Sequence, residues 1–183
     1  MESRENTNND LIAGLNSPDE NIVAKTIDEL RIHGNIHVLP SVFKLLFSKR
    51  MESLNDSLVN LINDIKDPAA VPVFMDAIEL YRGKSGFEQL VSACWQCGLD
   101  FSMHLDRFID LVIEEDYYTS LEAFSVIEEN ISLLNSQQRT ARLELIRSRL
   151  EFLPPEKRLL VNELLSMMSL VSGPLRLDPD HMN

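Results

Sequence analysis

Apolar residues recur every three or four positions along most of the chain, the spacing that places them on one face of an α-helix. The pattern predicts a short apolar-faced turn at 10–16 and helices at 18–33, 37–49, 52–65, 69–81, 87–97, 101–115, 119–133, 137–152 and 156–170. Breakers such as Asp67-Pro68 and Pro154-Pro155 separate these segments. Because short connectors make successive helices antiparallel, we expect an all-α fold with no strand.

The same pattern predicts which residues face inward and where the domain ends. In the helix that follows Pro18, the inward stripe is predicted to contain Ile22, Val23, Thr26, Ile27 and Leu30, and Gly34-Asn35 is predicted to end the helix. Residues 1–9 are polar and are expected to be frayed or disordered. We expect residues 10–171 to form a single helical domain and residues 172–183 to form an irregular tail.

A weak repeat is visible in the first half of the chain. The segment from Gly34 to Pro40 aligns with the segment from Lys66 to Pro72, so the two prolines are 32 positions apart, and twice that step leads from Gly34 to Gly98. The apolar positions of the preceding helices also superpose under this shift. A period of 30–50 residues is typical of stacked helical repeats.

The Asp-Pro-Ala-Ala-Val-Pro sequence at 67–72, placed between two helices, resembles the turn inside a HEAT repeat, and 34–40 resembles a weaker copy of it. The chain thus looks like a divergent member of the HEAT-repeat, armadillo-like family over roughly residues 17–115. The resemblance implies an α-α superhelix, a HEAT-like solenoid of about four to five antiparallel helix pairs, that binds proteins along the second helix of each pair. Other helical-hairpin arrays are the alternative.

The charge of the chain favours some partners over others. Its formal net charge is −12, which repels nucleic-acid phosphates and anionic membrane surfaces. A protein or peptide partner, preferably basic, is therefore expected, and neither nucleic acid nor membrane is. A polar beginning without an apolar signal segment, two cysteines and no long apolar run favour a cytoplasmic location. The oligomeric state does not follow from the sequence.

The charges are also unevenly distributed. Residues 85–138 contain ten acidic residues and one basic residue, whereas residues 139–158 contain six basic and three acidic residues. The candidate binding site is an acidic groove on the second helices, formed by Asp76, Glu79, Asp106, Asp110 and Glu114. A secondary basic patch is formed by Arg139, Arg142 and Arg149. An ordinary solvated face is the alternative explanation for the acids.

Catalysis is not expected, because the sequence contains no recognisable phosphate loop, nucleophile elbow or metal-ligand cluster. No cofactor and no metal are therefore expected. Cys94 and Cys97 form a C-x-x-C sequence, but they lie at the end of a helix, where the helix dipole disfavours a thiolate. Core packing is the favoured role for them, and a redox or metal-dependent protein is one rival. A self-assembling structural protein, in which the basic end of one chain binds the acidic middle of another, is the second rival.

Overall fold

A computed structural model describes residues 2–33, 36–48 and 50–170. In these ranges the chain forms ten α-helices and no strand, which confirms the all-α prediction. The helices are α1 (Glu2–Leu15), α2 (Glu20–His33), α3 (Leu39–Leu46), α4 (Asn55–Asn63), α5 (Val71–Tyr81), α6 (Phe87–Gln96), α7 (Leu105–Glu114), α8 (Tyr117–Asn130), α9 (Ser136–Arg149) and α10 (Pro155–Leu170). The predicted helix end at Gly34-Asn35 and the predicted tail at 172–183 lie outside the described residues.

The chain divides into two compact units, Met1–Asp100 and Phe101–Asn183. In the first unit the helices pack as the pairs α1 with α2, α3 with α4 and α5 with α6. Alternate helices also touch: α1 contacts α3 and α3 contacts α5, while α2 contacts α4 and α4 contacts α6. The unit therefore has two rows of three helices, and each pair buries its apolar side against the next.

Proline and short 3₁₀ turns set the start of α3 and α5, which the sequence predicted as second helices but which are the first helices of their pairs in the structure. Pro40 lies in the first turn of α3 and Pro72 in the first turn of α5, so the aligned prolines occupy equivalent places. Proline is accepted there because the first turn has no intrahelical use for its missing N–H. A 3₁₀ turn precedes each helix, and at the second the Asp67 carboxylate accepts a hydrogen bond from Ala69 N. The sequence predicted that the two prolines are equivalent positions of a repeat, but it did not predict the 3₁₀ turns.

The first helix pair differs from the prediction in two ways. Helix α1 begins at Glu2, although residues 1–9 were expected to be frayed and only 10–16 to be helical. Leu11 and Leu15 are buried against neighbouring helices, and once such a nucleus is packed, adding further turns costs little free energy. Ile22 was wrongly placed on the inward stripe, since it is 48% exposed while Val23, Thr26 and Ile27 are buried.

The second unit, as far as residue 170, contains two further helix pairs. Helix α7 packs along α8, α9 packs against α10, and α10 also contacts α7. Inside the unit, buried Asn130 at the end of α8 accepts a hydrogen bond from Phe101 N at 2.8 Å and donates one to Val126 O at 2.8 Å. The expected single domain over 10–171 thus takes the form of two units that meet in sequence at Asp100 and Phe101.

Candidate functional site

Three of the predicted acidic residues follow one another along a single face of α7. Asp106, Asp110 and Glu114 are spaced by four, so they lie one above the other on the helix. The opposite face is apolar and buried, and it includes Phe108, Ile109 and Val112. This division fixes the rotation of α7, because turning the helix to bury the carboxylates would expose the aromatic and branched side chains.

The predicted basic patch lies on the neighbouring helix α9. Asn135 caps this helix: its side chain accepts from Gln138 N, and the Gln138 side chain accepts from Asn135 N. Arg139 and Arg142 are buried, and Arg149 is in the last turn. Arg139 donates to Leu134 O at 3.2 Å, so part of the predicted patch serves to close the turn before α9.

The acidic face of α7 and the basic residues of α9 are in contact with each other. Arg142 Nε lies 3.2 Å from Asp106 Oδ1, and Arg149 places its two terminal nitrogens 3.0 Å from Asp110 Oδ1 and 3.0 Å from Glu114 Oε1. Arg107 Nη1 is 3.6 Å from Asp110 Oδ2. Arg142 Nε and Asp110 Oδ1 have no hydrogen-bond partner, so those two contacts act through charge and not through a well-directed hydrogen bond.

These contacts change the interpretation of both predicted sites. The acids and the arginines were predicted as two separate surfaces, whereas in the second unit they hold α7 and α9 together. Sequence reasoning did not predict the pairing. One signal was available, since Asp106 and Arg142 are 36 positions apart and Glu114 and Arg149 are 35 apart, close to the repeat period.

Asp76 and Glu79 lie in the first unit, on α5. Both side chains are exposed, while Phe74, Ala77 and Ile78 of the same helix are buried. The two acids are three positions apart and therefore share a face of α5. The structure thus places the two acids on the solvent side of α5, which is the first helix of its pair and not the second helix that the sequence predicted.

A lysine fastens α10 to the end of α7. Lys157 Nζ donates hydrogen bonds to Val112 O, Glu115 O and Ser120 Oγ. The last carbonyls of a helix have no intrahelical donor, and a cation there also suits the helix dipole. Burial lowers the pKa of Lys157, and the nearby negative charges of Asp116, Glu115 and Glu156 partly offset this effect. The amine therefore caps α7 and joins the two helix pairs of the second unit.

Cys94 and Cys97 are both buried at the end of α6, just before Gly98 with its positive φ. Burial raises the pKa of both thiols; for Cys94 the neighbouring Cys97 adds to the effect, and for Cys97 hydrogen bonds and the charge of Lys66 reduce it. A raised pKa leaves less of the nucleophilic thiolate at neutral pH. The geometry therefore suits the core-packing role predicted for the pair.

Three exposed aromatic side chains of the second unit were not predicted from the sequence. Tyr117 is 65% exposed, Tyr118 72% and Phe152 83%, and the two tyrosine rings pack edge to face with centroids 5.8 Å apart. Leu121, also exposed, follows the tyrosines along α8. The available signal was the pair of tyrosines that directly follows Glu114-Glu115-Asp116, in a stretch predicted to be a connector.

Among the described residues, no group of three or more histidine, cysteine or acidic side chains is arranged to hold a metal ion. None of the described helices has the length and apolar character to cross a lipid bilayer.

Comparison of the chain with family models, with curated proteins and with solved structures finds no match. The HEAT-like resemblance therefore stays a prediction.

Proposed function

We propose that this protein is a non-catalytic binding module, a HEAT-like array of stacked helix pairs that acts as a scaffold or adaptor for a basic protein or peptide. One observation carries the proposal: polar contacts between successive pairs recur at nearly constant sequence spacing. Glu20 with Ser53, Arg31 with Asp64 and Asn63 with Gln96 are each 33 positions apart.

A similar spacing recurs in the second unit, where Glu114 and Arg149 are 35 positions apart. A constant spacing is what stacked, similar units produce, since each unit contacts its neighbours in the same way. Such arrays use their exposed helix faces for recognition, and this supports a binding function. The buried, weakly acidic thiols of Cys94 and Cys97 support a non-catalytic role, and a cytoplasmic setting would keep them reduced.

The binding surface in this proposal is the exposed side of α3, α5, α7 and α9, the helices that the sequence predicted as second helices, and in the first unit it contains Asp76 and Glu79 on α5. In the second unit, Asp106, Asp110 and Glu114 would bind a basic partner through the part of their charge that Arg142 and Arg149 leave uncompensated. The net charge of −12 would speed the approach of such a partner. Because Arg142 and Arg149 already contact acids of their own chain, the structure offers less support for charge-driven self-assembly.

The decisive experiment compares partner capture from the native host by the wild-type chain and by Asp76→Lys/Glu79→Lys. We expect the double reversal to reduce capture about tenfold or more, because two attractive contacts become repulsive. The control is Glu128→Lys/Glu129→Lys, which makes the same charge change on exposed positions of α8. Reversal of Asp106, Asp110 and Glu114 is less informative by itself, since it also breaks the ion pairs with α9.

If both double reversals capture the same partners as the wild-type chain in the same amounts, the acidic surface on α5 is not the binding site. Raising the salt concentration provides a second readout. Capture through charge should weaken as the screening length shortens, and a complex that is insensitive to salt would contradict the electrostatic part of the proposal.

A further inference from the structure

Exposed aromatic side chains and acidic residues meet at one end of the second unit. Tyr117 and Tyr118 begin α8, directly after the connector from α7, and the connector from α9 to α10 carries Phe152. Lys157, in the first turn of α10, contacts Glu115 O and Ser120 Oγ beside the start of α8, and Arg149, in the last turn of α9, contacts Glu114 at the end of α7. Phe152 lies between Arg149 and Lys157 in sequence, so it is held at the same end of the unit as the tyrosines.

The orientation of α8 places the tyrosines beside this junction. Tyr117 is three positions before Ser120, which contacts Lys157, and residues three apart lie on one face of a helix. Leu121 is four positions after Tyr117 and three after Tyr118, so it extends the same exposed surface. We call Tyr117, Tyr118, Leu121 and Phe152 the aromatic end.

Exposure of this size is unusual for aromatic side chains, which normally bury most of their surface. Tyrosine is also enriched among the residues that dominate binding energy at protein interfaces, because it offers a large, rigid contact area with a polar tip. The two rings pack edge to face with each other.

The charge around the aromatic end is acidic on balance. The acidic residues near it in sequence are Glu114, Glu115, Asp116, Glu122, Glu151 and Glu156, and the cationic residues are Arg147, Arg149, Lys157 and Arg158. Arg149 contacts Asp110 and Glu114, Lys157 donates to backbone carbonyls, and Arg158 donates to Leu153 O at 3.2 Å. Six acids against four cations leave a negative balance beside π faces that attract cations.

We propose that the aromatic end is a docking surface for a basic, amphipathic segment of another protein, whose lysine or arginine side chains stack on the tyrosines while an apolar residue covers Phe152. This deepens the proposed function and rests on it. Charge argues against two other occupants, a second copy of this chain and its own residues 171–183. A second copy of this chain carries the same net charge of −12, and residues 171–183 contain Asp178 and Asp180 against Arg176.

The test uses the full chain and two short fluorescent peptides. One peptide alternates lysine and arginine with leucine and tryptophan, and the other keeps its apolar residues but replaces each basic residue with glutamate. We expect the basic peptide to bind, as measured by fluorescence anisotropy, and the acidic peptide not to bind. Tyr117→Ser/Tyr118→Ser should weaken binding of the basic peptide about tenfold or more, which corresponds to about 1.4 kcal/mol.

The matched control is Ile32→Ser/Leu170→Ser, which removes two exposed apolar side chains elsewhere. It should leave the affinity within about twofold, and thermal unfolding of both double variants should match that of the wild-type chain, because exposed side chains contribute little to stability. Equal binding by the tyrosine variant, or no binding of the basic peptide by the wild-type chain, overturns the proposal.

Two further outcomes separate this inference from the proposed function. If Asp76→Lys/Glu79→Lys abolishes peptide binding and the tyrosine variant does not, the binding module survives and the aromatic end is not its site. If both tyrosines of the wild-type chain resist acetylation by N-acetylimidazole, measured by mass spectrometry, then another part of the chain or a second copy covers them, and the proposal is wrong. We expect both tyrosines to be acetylated rapidly.

Discussion

Arg149 Nη2 lies 3.0 Å from Asp110 Oδ1, and Asp110 is the most enclosed of the three acids on α7, with 18% of its side chain exposed. The other terminal nitrogen of Arg149 contacts Glu114. One arginine of α9 therefore binds two successive turns of α7, and the planar guanidinium suits this two-point contact. The acidic face of α7, which the charge pattern predicts to be a recognition site, is therefore also a contact surface between α7 and α9.

The Arg149–Asp110 pair is expected to stabilise the protein measurably. In a double-mutant cycle with Arg149→Met and Asp110→Asn, measured by urea unfolding, we expect a coupling energy of about 1 kcal/mol, since Asp110 is largely shielded from water. The comparison cycle uses Arg142 and Asp106, in which the arginine is 9% exposed and the aspartate 59% exposed. Solvent screening of this carboxylate should reduce the coupling to less than about 0.5 kcal/mol. Equal coupling in the two cycles would show that exposure of the carboxylate does not set the strength of these pairs.

Asn130 is expected to be the most sensitive polar position of the second unit. Asn130→Ala leaves Phe101 N–H without its acceptor in the interior, which costs about 1–3 kcal/mol of unfolding free energy. Glu128→Ala, at an exposed position of the same helix, is the control and should stay within about 0.5 kcal/mol of the wild-type value. If the two variants unfold at the same urea concentration, the hydrogen bond to Phe101 N contributes nothing to stability.

Helix positions could be predicted from the sequence because apolar periodicity and proline placement act locally. The prolines at 40 and 72 mark the starts of α3 and α5, and the break at Pro154-Pro155 marks the start of α10. The exposure of Ile22 could not be predicted, because both Ile22 and Val23 fit a helical stripe and only the neighbouring helices decide which one is covered. The pairing of α7 acids with α9 arginines depends likewise on which faces meet after packing.

Asp116 is expected to make the start of α8 sensitive to acid. Its carboxylate accepts hydrogen bonds from the backbone and hydroxyl of Thr119 and from Tyr118 N, and these bonds lower its pKa below the ordinary value although burial opposes them. Because the folded-state pKa is the lower one, this contribution is present above about pH 4 and is lost as the pH falls through the folded-state value.

Asp116→Ala should cost about 1 kcal/mol at about pH 7, which is the usual effect of removing an N-cap. Asparagine can still cap the helix but cannot ionise, so the stability difference between the wild-type chain and Asp116→Asn should shrink as the pH falls below about 4. Urea unfolding of both chains across that range measures it. A difference that does not change with pH would mean that the ionised carboxylate is not what stabilises the cap.

Cys94 and Cys97 are expected to react slowly in the folded protein. Both are buried and their pKa values are raised, so a thiol reagent such as DTNB must wait for the end of α6 to open. We expect both thiols to react at least about tenfold more slowly in the native protein than in denaturant. Fast reaction of either thiol in the native protein would contradict this prediction and support a redox role for Cys94 and Cys97.

Gly14 and Thr26 are expected to be coupled through the close approach of α1 and α2. A Cβ added at Gly14 would lie 2.2 Å from Thr26 Oγ1 and 3.0 Å from Thr26 Cγ2, both of which are side-chain atoms. Gly14→Ala should therefore destabilise the protein by about 1–2 kcal/mol, although alanine is by itself the better helix former by about 1 kcal/mol.

The rescue of this variant distinguishes a local clash from a general effect of the glycine. Thr26→Ala removes the two closest atoms, together with the hydrogen bond that Thr26 Oγ1 donates to Ile22 O at 2.8 Å. In the Thr26→Ala background, Gly14→Ala should become much less destabilising, because the helix-forming advantage remains and only the tight 3.1 Å approach to the Cβ of residue 26 is left. Urea unfolding of the four chains measures the coupling. If Gly14→Ala is equally destabilising in both backgrounds, α1 and α2 do not approach each other at this point.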